Sequence, residues 1–192
     1  LKNKDGNYPF HIRAYAIVDN IMYFIPDELN LLCTMRLADG EVTILSSIPE
    51  EKINQTGLSL KLEYYDGKII VIPYMAKNIW IYTIEKRGWQ KIEIRNQDQE
   101  CKFGSSIMYG SKLYLFPVCY KYITCVDVIT SEVTYLEQIF KDYQLISGKD
   151  TCCFACCNVR KQEDVYIVEQ QTNYVLQFNV TTGAYNWLTM GD

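Results

Sequence analysis

The chain has 192 residues, 48% of them hydrophobic and 22% charged, a globular composition rather than a disordered one. Its formal net charge of −4 argues against a nucleic-acid-binding face, and no apolar run reaches the ~18–20 residues that span a bilayer. The single histidine, His11, excludes a multi-histidine metal site, and a Ser-His-Asp or Cys-His arrangement would have to use it.

In chain order, the first strong element is Ile21-Met-Tyr-Phe-Ile-Pro26, preceded by the tight-turn pair Asp19-Asn20. It returns as Lys68-Ile-Ile-Val-Ile-Pro73 behind Asp66-Gly67, and as Lys112-Leu-Tyr-Leu-Phe-Pro117 behind Gly110-Ser111. A fourth copy, Val165-Tyr-Ile-Val168, has Glu169 in the proline place. The first two prolines are 47 residues apart and the next two 44. Each copy continues into an alternating stretch: CTMRL from Cys33, WIYTI from Trp80, TCVDV from Thr124 and LQFNV from Leu176. Polar turns follow (ADGE, EKRG, ITSE, TTGA), and then a second alternation at 42–45, 89–92, 133–136 and 185–188. Period-two alternation of β-branched and aromatic residues predicts strands, and only the stretch around Glu137–Tyr143 could hold a helical turn. Prolines that end a strand read as structural, because proline cannot donate to a ladder.

Four strands, a to d, per unit of about 45 residues are the signature of β-propeller blades. The fold class is therefore all-β: four four-stranded antiparallel blades in one domain over 1–192. The blades lie at about 12–48, 58–95, 104–140 and 152–190. They form either a closed four-bladed ring or part of a larger propeller, with 1–11 the only candidate spare strand. The passages Asp127-Val-Ile-Thr130-Ser-Glu-Val133 and Phe178-Asn-Val-Thr-Thr182-Gly-Ala-Tyr185 resemble the D-x-x-T-x-x-W run of kelch and galactose-oxidase-like propellers. Tyr185 and Trp89 stand in the tryptophan place, and Ile-Pro or Phe-Pro replaces the kelch Gly-Gly doublet.

Strand alternation puts the short a–b and c–d turns at one end of the blades and the longer, variable b–c and d–a loops at the other. Variable loops on a regular scaffold carry function. Equivalent b–c positions hold Asn30, Lys77, Lys121 and Asn173, with Tyr74, Tyr120 and Tyr174 close by. Amides, amines and tyrosines suit a protein or glycan partner. The leading expectation is a non-catalytic recognition or scaffold module that uses this face, with no cofactor, metal, nucleic acid or membrane. One alternative is a glycan- or peptide-processing enzyme using the loop acids Asp27, Glu28 and Glu169. Another is a structural fragment that self-associates through open blade edges.

Eight cysteines are many for this length. Cys33, Cys119 and Cys125 read as small core residues, and Cys101 lies in a d–a connection. Cys152-Cys153-Phe-Ala-Cys156-Cys157 has C-x-x-C spacing, but the repeat places it on the a strand of the fourth blade. There, alternate thiols would face opposite sides and could not share one ion. Strand-embedded thiols read as reduced, which points to the cytoplasm. The N-x-T sequons at Asn54 and Asn179 read as chance.

Overall fold

A computed structural model describes residues 11–52 and 56–191. Asn54 and nearly all of the 1–11 segment fall outside the described residues. The chain divides into two compact units that part between Asp98 and Gln99, each holding two four-stranded antiparallel sheets.

In the first unit, one sheet is β1 (Ile12–Val18), β2 (Ile21–Pro26), β3 (Leu31–Arg36) and β4 (Val42–Ser47). The other is β5 (Ser59–Tyr65), β6 (Lys68–Pro73), β7 (Ile79–Thr83) and β8 (Gly88–Ile92). In the second unit, the third sheet is β9 (Phe103–Tyr109), β10 (Lys112–Pro117), β11 (Thr124–Asp127) and β12 (Val133–Tyr135). Helix α1 (Glu137–Ser147) leads on to β13 (Val159–Lys161), β14 (Asp164–Val168), β15 (Tyr174–Asn179) and β16 (Tyr185–Thr189). Every sheet pairs its strands in chain order, which is the simple meander the repeat predicts.

The alternation explains the packing. In the first unit Tyr23 and Ile25 of β2 and Ile69 and Val71 of β6 share one apolar cluster with Leu32, Trp80 and Tyr82. The second unit repeats this with Tyr114 and Phe116 of β10, Val165 and Ile167 of β14, and Leu176 and Phe178 of β15. Ile139, Phe140 and Tyr143 extend that core from α1, where their spacing forms one helical face. The helix is therefore longer than the turn the sequence predicts. It stops at Gly148, whose left-handed backbone (φ 66°) lets its N–H donate to the Gln144 carbonyl.

The prolines act as expected on the ladder. Beside Pro26, Pro73 and Pro117 the a–b register shifts, because no N–H is available there. Pairing resumes one residue later: the N–H groups of Asp27, Tyr74 and Val118 donate to the carbonyls of His11, Leu58 and Lys102 at 2.8, 3.0 and 2.8 Å. In the fourth blade Gln170 donates to Cys153 at 2.7 Å, and Glu169 uses the N–H that proline lacks to reach Tyr174 O at 3.0 Å.

One expectation fails. The a strand of the fourth blade does not run through Cys152–Cys157. That segment is irregular, touches the sheet only at the Phe154–Glu169 bridge, and gives way to the three-residue β13. The Phe154–Glu169 bridge keeps the register of the proline-ended blades, with the Glu169 side chain accepting from the Cys153 N–H, and the backbone departs from the strand only after it.

The turns follow the fourfold rule at one special angle. Gly40, Arg87, Ser131 and Gly183 occupy the same c–d turn position, all with positive φ, at 71°, 50°, 66° and 74°. Asp127 caps its turn by accepting from the N–H groups of Ile129 and Thr130 at 2.9 and 3.0 Å. Asn179 caps the fourth turn in the same way, accepting from Thr181 and Thr182, while its amide donates to Asp164 Oδ1 at 2.7 Å. The Asn179 amide is thus engaged on both sides within the fold.

Candidate functional site

In the first unit the b–c loops are held from the interior. Asn30 is buried: its amide donates to the carbonyls of Ile48 and Glu51 at 2.9 and 2.8 Å, and its oxygen accepts from the Ile48 N–H. It ties the b–c loop to the d–a connection and does not present itself as a surface contact. Glu51 performs a similar task for the next blade, accepting from the Lys77 N–H at 2.8 Å and the Trp80 indole at 3.2 Å. This leaves the Lys77 ammonium outside, 3.2 Å from Asp98, and Tyr74 half-buried beside Gly57.

In the second unit Tyr120 is fully buried against Phe103, with ring centroids 4.8 Å apart. It too is a core residue, because the bulge at Pro117 turns the following loop inward. Lys121 is exposed, with its ammonium 5.8 Å from the Tyr122 ring and 5.9 Å from the Phe140 ring. Asn173 is exposed, and Tyr174 is half-buried, its ring edge-on to Tyr143 and Trp187. The Tyr174 hydroxyl donates to the Ile146 carbonyl at 3.2 Å.

Helix α1 adds what the sequence reading missed. It fills the d–a connection between the third and fourth blades, beside the Asn173–Tyr174 loop. Its buried face is Ile139, Phe140 and Tyr143, which leaves Leu145 84% exposed and Ile146 44% exposed at the C-terminal end. A signal was present in the sequence: an aliphatic residue, Leu145, off the stripe set by Ile139, Tyr143 and Ile146 just before Ser147-Gly148. Asp142 fixes the helix to the outer strand by accepting from the Tyr185 hydroxyl. That bond lowers the Asp142 carboxyl, while burial and then the carboxylate push the Tyr185 phenol up to about 12. The crevice under the helix, between Lys121, Phe140, Phe154 and Trp187, has room for about one water and no larger guest.

The loop acids do not form a reacting pair. Glu169 is fully buried and accepts from the N–H groups of Cys153 and Gln171 at 2.9 and 3.0 Å and from the Thr172 hydroxyl at 2.7 Å. Asp27 is buried with one oxygen 2.7 Å from Arg13, and Glu28 is held by His11, whose ring hydrogen bond lowers its carboxyl. Each carboxylate has a structural partner. Among the described residues, no three His, Cys, Asp or Glu side chains stand close enough to hold one metal ion.

The roomier hollows lie at the other end of the blades. One of about 350 Å³ is bordered by Lys112, Asp127, Glu132 and Thr181 in the second unit. One of about 330 Å³ is bordered by Asp19, Tyr64, Asp66 and Glu85 in the first. The first is lined by the b to d strands of the third blade and a c–d turn, the second by a–b and c–d turns of the first two blades, and their linings share no common chemistry.

The cysteines also depart from expectation in part. Cys33 is a core residue, and burial raises its thiol to about 11. Cys119 is exposed on the b–c loop of the third blade, and Cys125 is half-buried. Cys152 is buried while Cys156 and Cys157 are exposed, because the irregular backbone does not alternate as a strand would.

No family model matches this chain, and no curated protein matches it in sequence. Solved structures do match in fold. Streptogramin B lyase superposes with a TM-score of 0.68 at 11% identity, over 95% of this chain and 55% of that one. The extracellular domain of the hybrid two-component system BT4673 from B. thetaiotaomicron gives 0.66 at 11% identity, over 97% of this chain and 23% of that one. PorZ, a bacterial surface component of the type-IX secretion system of Porphyromonas gingivalis, gives 0.62 at 10% identity, over 94% and 23%. The chain thus spans about half of the lyase and less than a quarter of the other two. With sixteen strands in four meandering sheets among the described residues, the class is a β-propeller, of which they make four blades.

Proposed function

We propose that this chain is a non-catalytic recognition module that binds a partner protein through the b–c and d–a loop end of its blades. In the second unit the docking surface centres on Leu145 and Ile146 of α1, flanked by Asn173, Tyr174 and Lys121. The observation that carries the reading is Leu145, 84% exposed on the side of α1 away from its packed face, with Ile146 44% exposed where that packed stripe runs out at the helix end. Exposed apolar groups rimmed by polar ones suit a protein interface. A glycan is favoured less, because sugar rings stack on open aromatic faces, and the loop tyrosines lie edge-on or buried. An enzymatic reading has less support still, since Asp27, Glu28 and Glu169 are each committed to a neighbour. Tyr74 and Lys77 form a smaller polar rim in the first unit. The repeats are read as divergent kelch-like units, on the strength of the Asp127 and Asn179 turn caps.

The test is a binding screen of the full chain against displayed peptide and protein libraries, with a glycan array in parallel. Protein ligands should be retained, and Leu145→Ser with Ile146→Ser should weaken them by at least about tenfold, a loss of some 1.4 kcal/mol. A Lys112→Ser variant, at the opposite end of the blades, should bind normally. Hits confined to the glycan array, or protein hits indifferent to Leu145 and Ile146, would overturn the proposal.

A further inference from the structure

The bulge at Pro117 has a consequence for two cysteines. Beyond it the register sets Phe103 against Pro117, the Val118 N–H donates to Lys102 O at 2.8 Å, and the Cys119 N–H donates to Cys101 O at 2.9 Å. Cys101 and Cys119 are therefore directly opposed on antiparallel segments. In a regular ladder, residues so opposed have Cα atoms about 4.5–5.5 Å apart, inside the range a disulfide spans. The Cys101 sulfur lies near enough to the Cys119 thiol to raise it. The clasp is held from both sides, because the Gln99 amide donates to the Cys119 carbonyl and the buried Lys102 ammonium donates to the Gln99 carbonyl. Cys101 has a positive φ of 53°, an uncommon conformation for a residue with a side chain. Such outliers concentrate where a function fixes the backbone. Cys119 is exposed and Cys101 half-buried, so one thiol of the pair is open to a reagent.

From this we infer that Cys101 and Cys119 are a reversible disulfide site, oxidised by low-molecular-weight disulfides of the glutathione type. The Cys119 thiolate attacks the reagent disulfide, forms a mixed disulfide and releases one glutathione thiolate. The Cys101 thiolate then attacks the Cys119 sulfur and expels the second. Two protein thiols are oxidised, one reagent disulfide is reduced to two thiols, and the two protein protons end on the released thiolates. Burial and the neighbouring Cys101 sulfur raise the Cys119 thiol, so the first step accelerates as pH rises. Cys153, which lies near Cys119 and donates to Gln170 Oε1 at 3.3 Å, is the nearest competitor. The bond would lock the b–c loop of the third blade to the connection that opens β9, whether or not that loop binds a partner.

The full chain, reduced and then equilibrated with mixtures of reduced and oxidised glutathione, is quenched in acid, alkylated and digested with trypsin. Cleavage leaves Cys101 alone in the peptide 96–102 and Cys119 alone in 113–121, with Cys152, Cys153, Cys156 and Cys157 together in 150–160. The expected product links 96–102 to 113–121 and exceeds any linkage of 113–121 to 150–160 by at least about tenfold. Dominant linkage to 150–160, or full alkylation of Cys101 and Cys119 under excess oxidised glutathione, would overturn the assignment. With Cys101→Ser, glutathione should persist on Cys119; its accumulation on Cys153 instead would overturn the order of attack.

Discussion

The hydroxyl of Tyr174 donates to the carbonyl of Ile146 at 3.2 Å, joining the b–c loop of the fourth blade to the last turn of α1. The hydroxyl supplies a donor to one of the helix-end carbonyls that have no partner within the helix. It also fixes the helix end that carries Leu145 and Ile146. Tyr174→Phe keeps the ring against Tyr143 and Trp187 and removes only this bond. The expected loss is about 0.5–1 kcal/mol in urea unfolding, with faster amide exchange at Gly148 than in the parent.

Glu169 stands where three other blades have proline, and its carboxylate has become the organiser of the loop. Glu169→Ala removes the acceptor of the Cys153 and Gln171 N–H groups and the Thr172 hydroxyl in a partly buried place. A destabilisation of about 1–2 kcal/mol is expected from chemical denaturation. Glu169→Gln, which still offers one acceptor oxygen, should fall between the two.

The c–d turns demand a left-handed backbone that the first and fourth blades meet with glycine and the second and third do not. Arg87→Gly and Ser131→Gly should each stabilise the chain by about 0.5–1 kcal/mol, seen as a higher melting temperature. Gly183→Ala should do the opposite by a similar amount. Equal melting temperatures for all three variants would contradict the turn assignment.

Asp127 and Asn179 cap equivalent turns with different chemistry. The N–H groups of Thr130 and Ile129, then the Ser111 hydroxyl, lower the Asp127 carboxyl below its ordinary value. A carboxyl depressed in the folded state contributes stability above its unfolded pKa, and that contribution is lost as pH falls through the folded value. Stability should therefore decline on the acid side of about pH 4. Asp127→Asn, which copies the Asn179 cap, should make that decline shallower without a large change at pH 7. Denaturation midpoints measured from pH 2 to pH 7 test this.

Gly104 sits in the bulge opposite Phe116 and Pro117. A methyl group there would meet Val118 Cγ2 at 2.6 Å and Cys156 Sγ at 3.1 Å, and the valine is stiff at its first torsion. Gly104→Ala should cost about 1–3 kcal/mol by overpacking, read from the urea midpoint.

Much of the blade plan was legible from local chemistry. Period-two alternation marked all four b strands, with the proline-ended ones running to Pro26, Pro73 and Pro117, and the polar dipeptides marked their turns. These signals survive in one dimension because a strand buries residues by simple alternation and a turn needs particular backbone angles. Helix α1 was only partly legible: Ile139, Phe140 and Tyr143 form a short stripe, too short to show where the helix would end. Asn30 and Tyr120 looked like surface residues because they lie in loops. Their burial depends on which way a bulged backbone turns and on carbonyls supplied by Ile48 and Glu51, far along the chain. The same holds for the thiols. The sequence shows eight cysteines and a C-x-x-C run, but the backbone leaves the expected strand after Phe154, and the bulge at Pro117 sets Cys119 opposite Cys101. Alternation and turn chemistry are local and can be read from order alone, whereas partnership between distant side chains exists only once register and backbone direction are fixed in three dimensions.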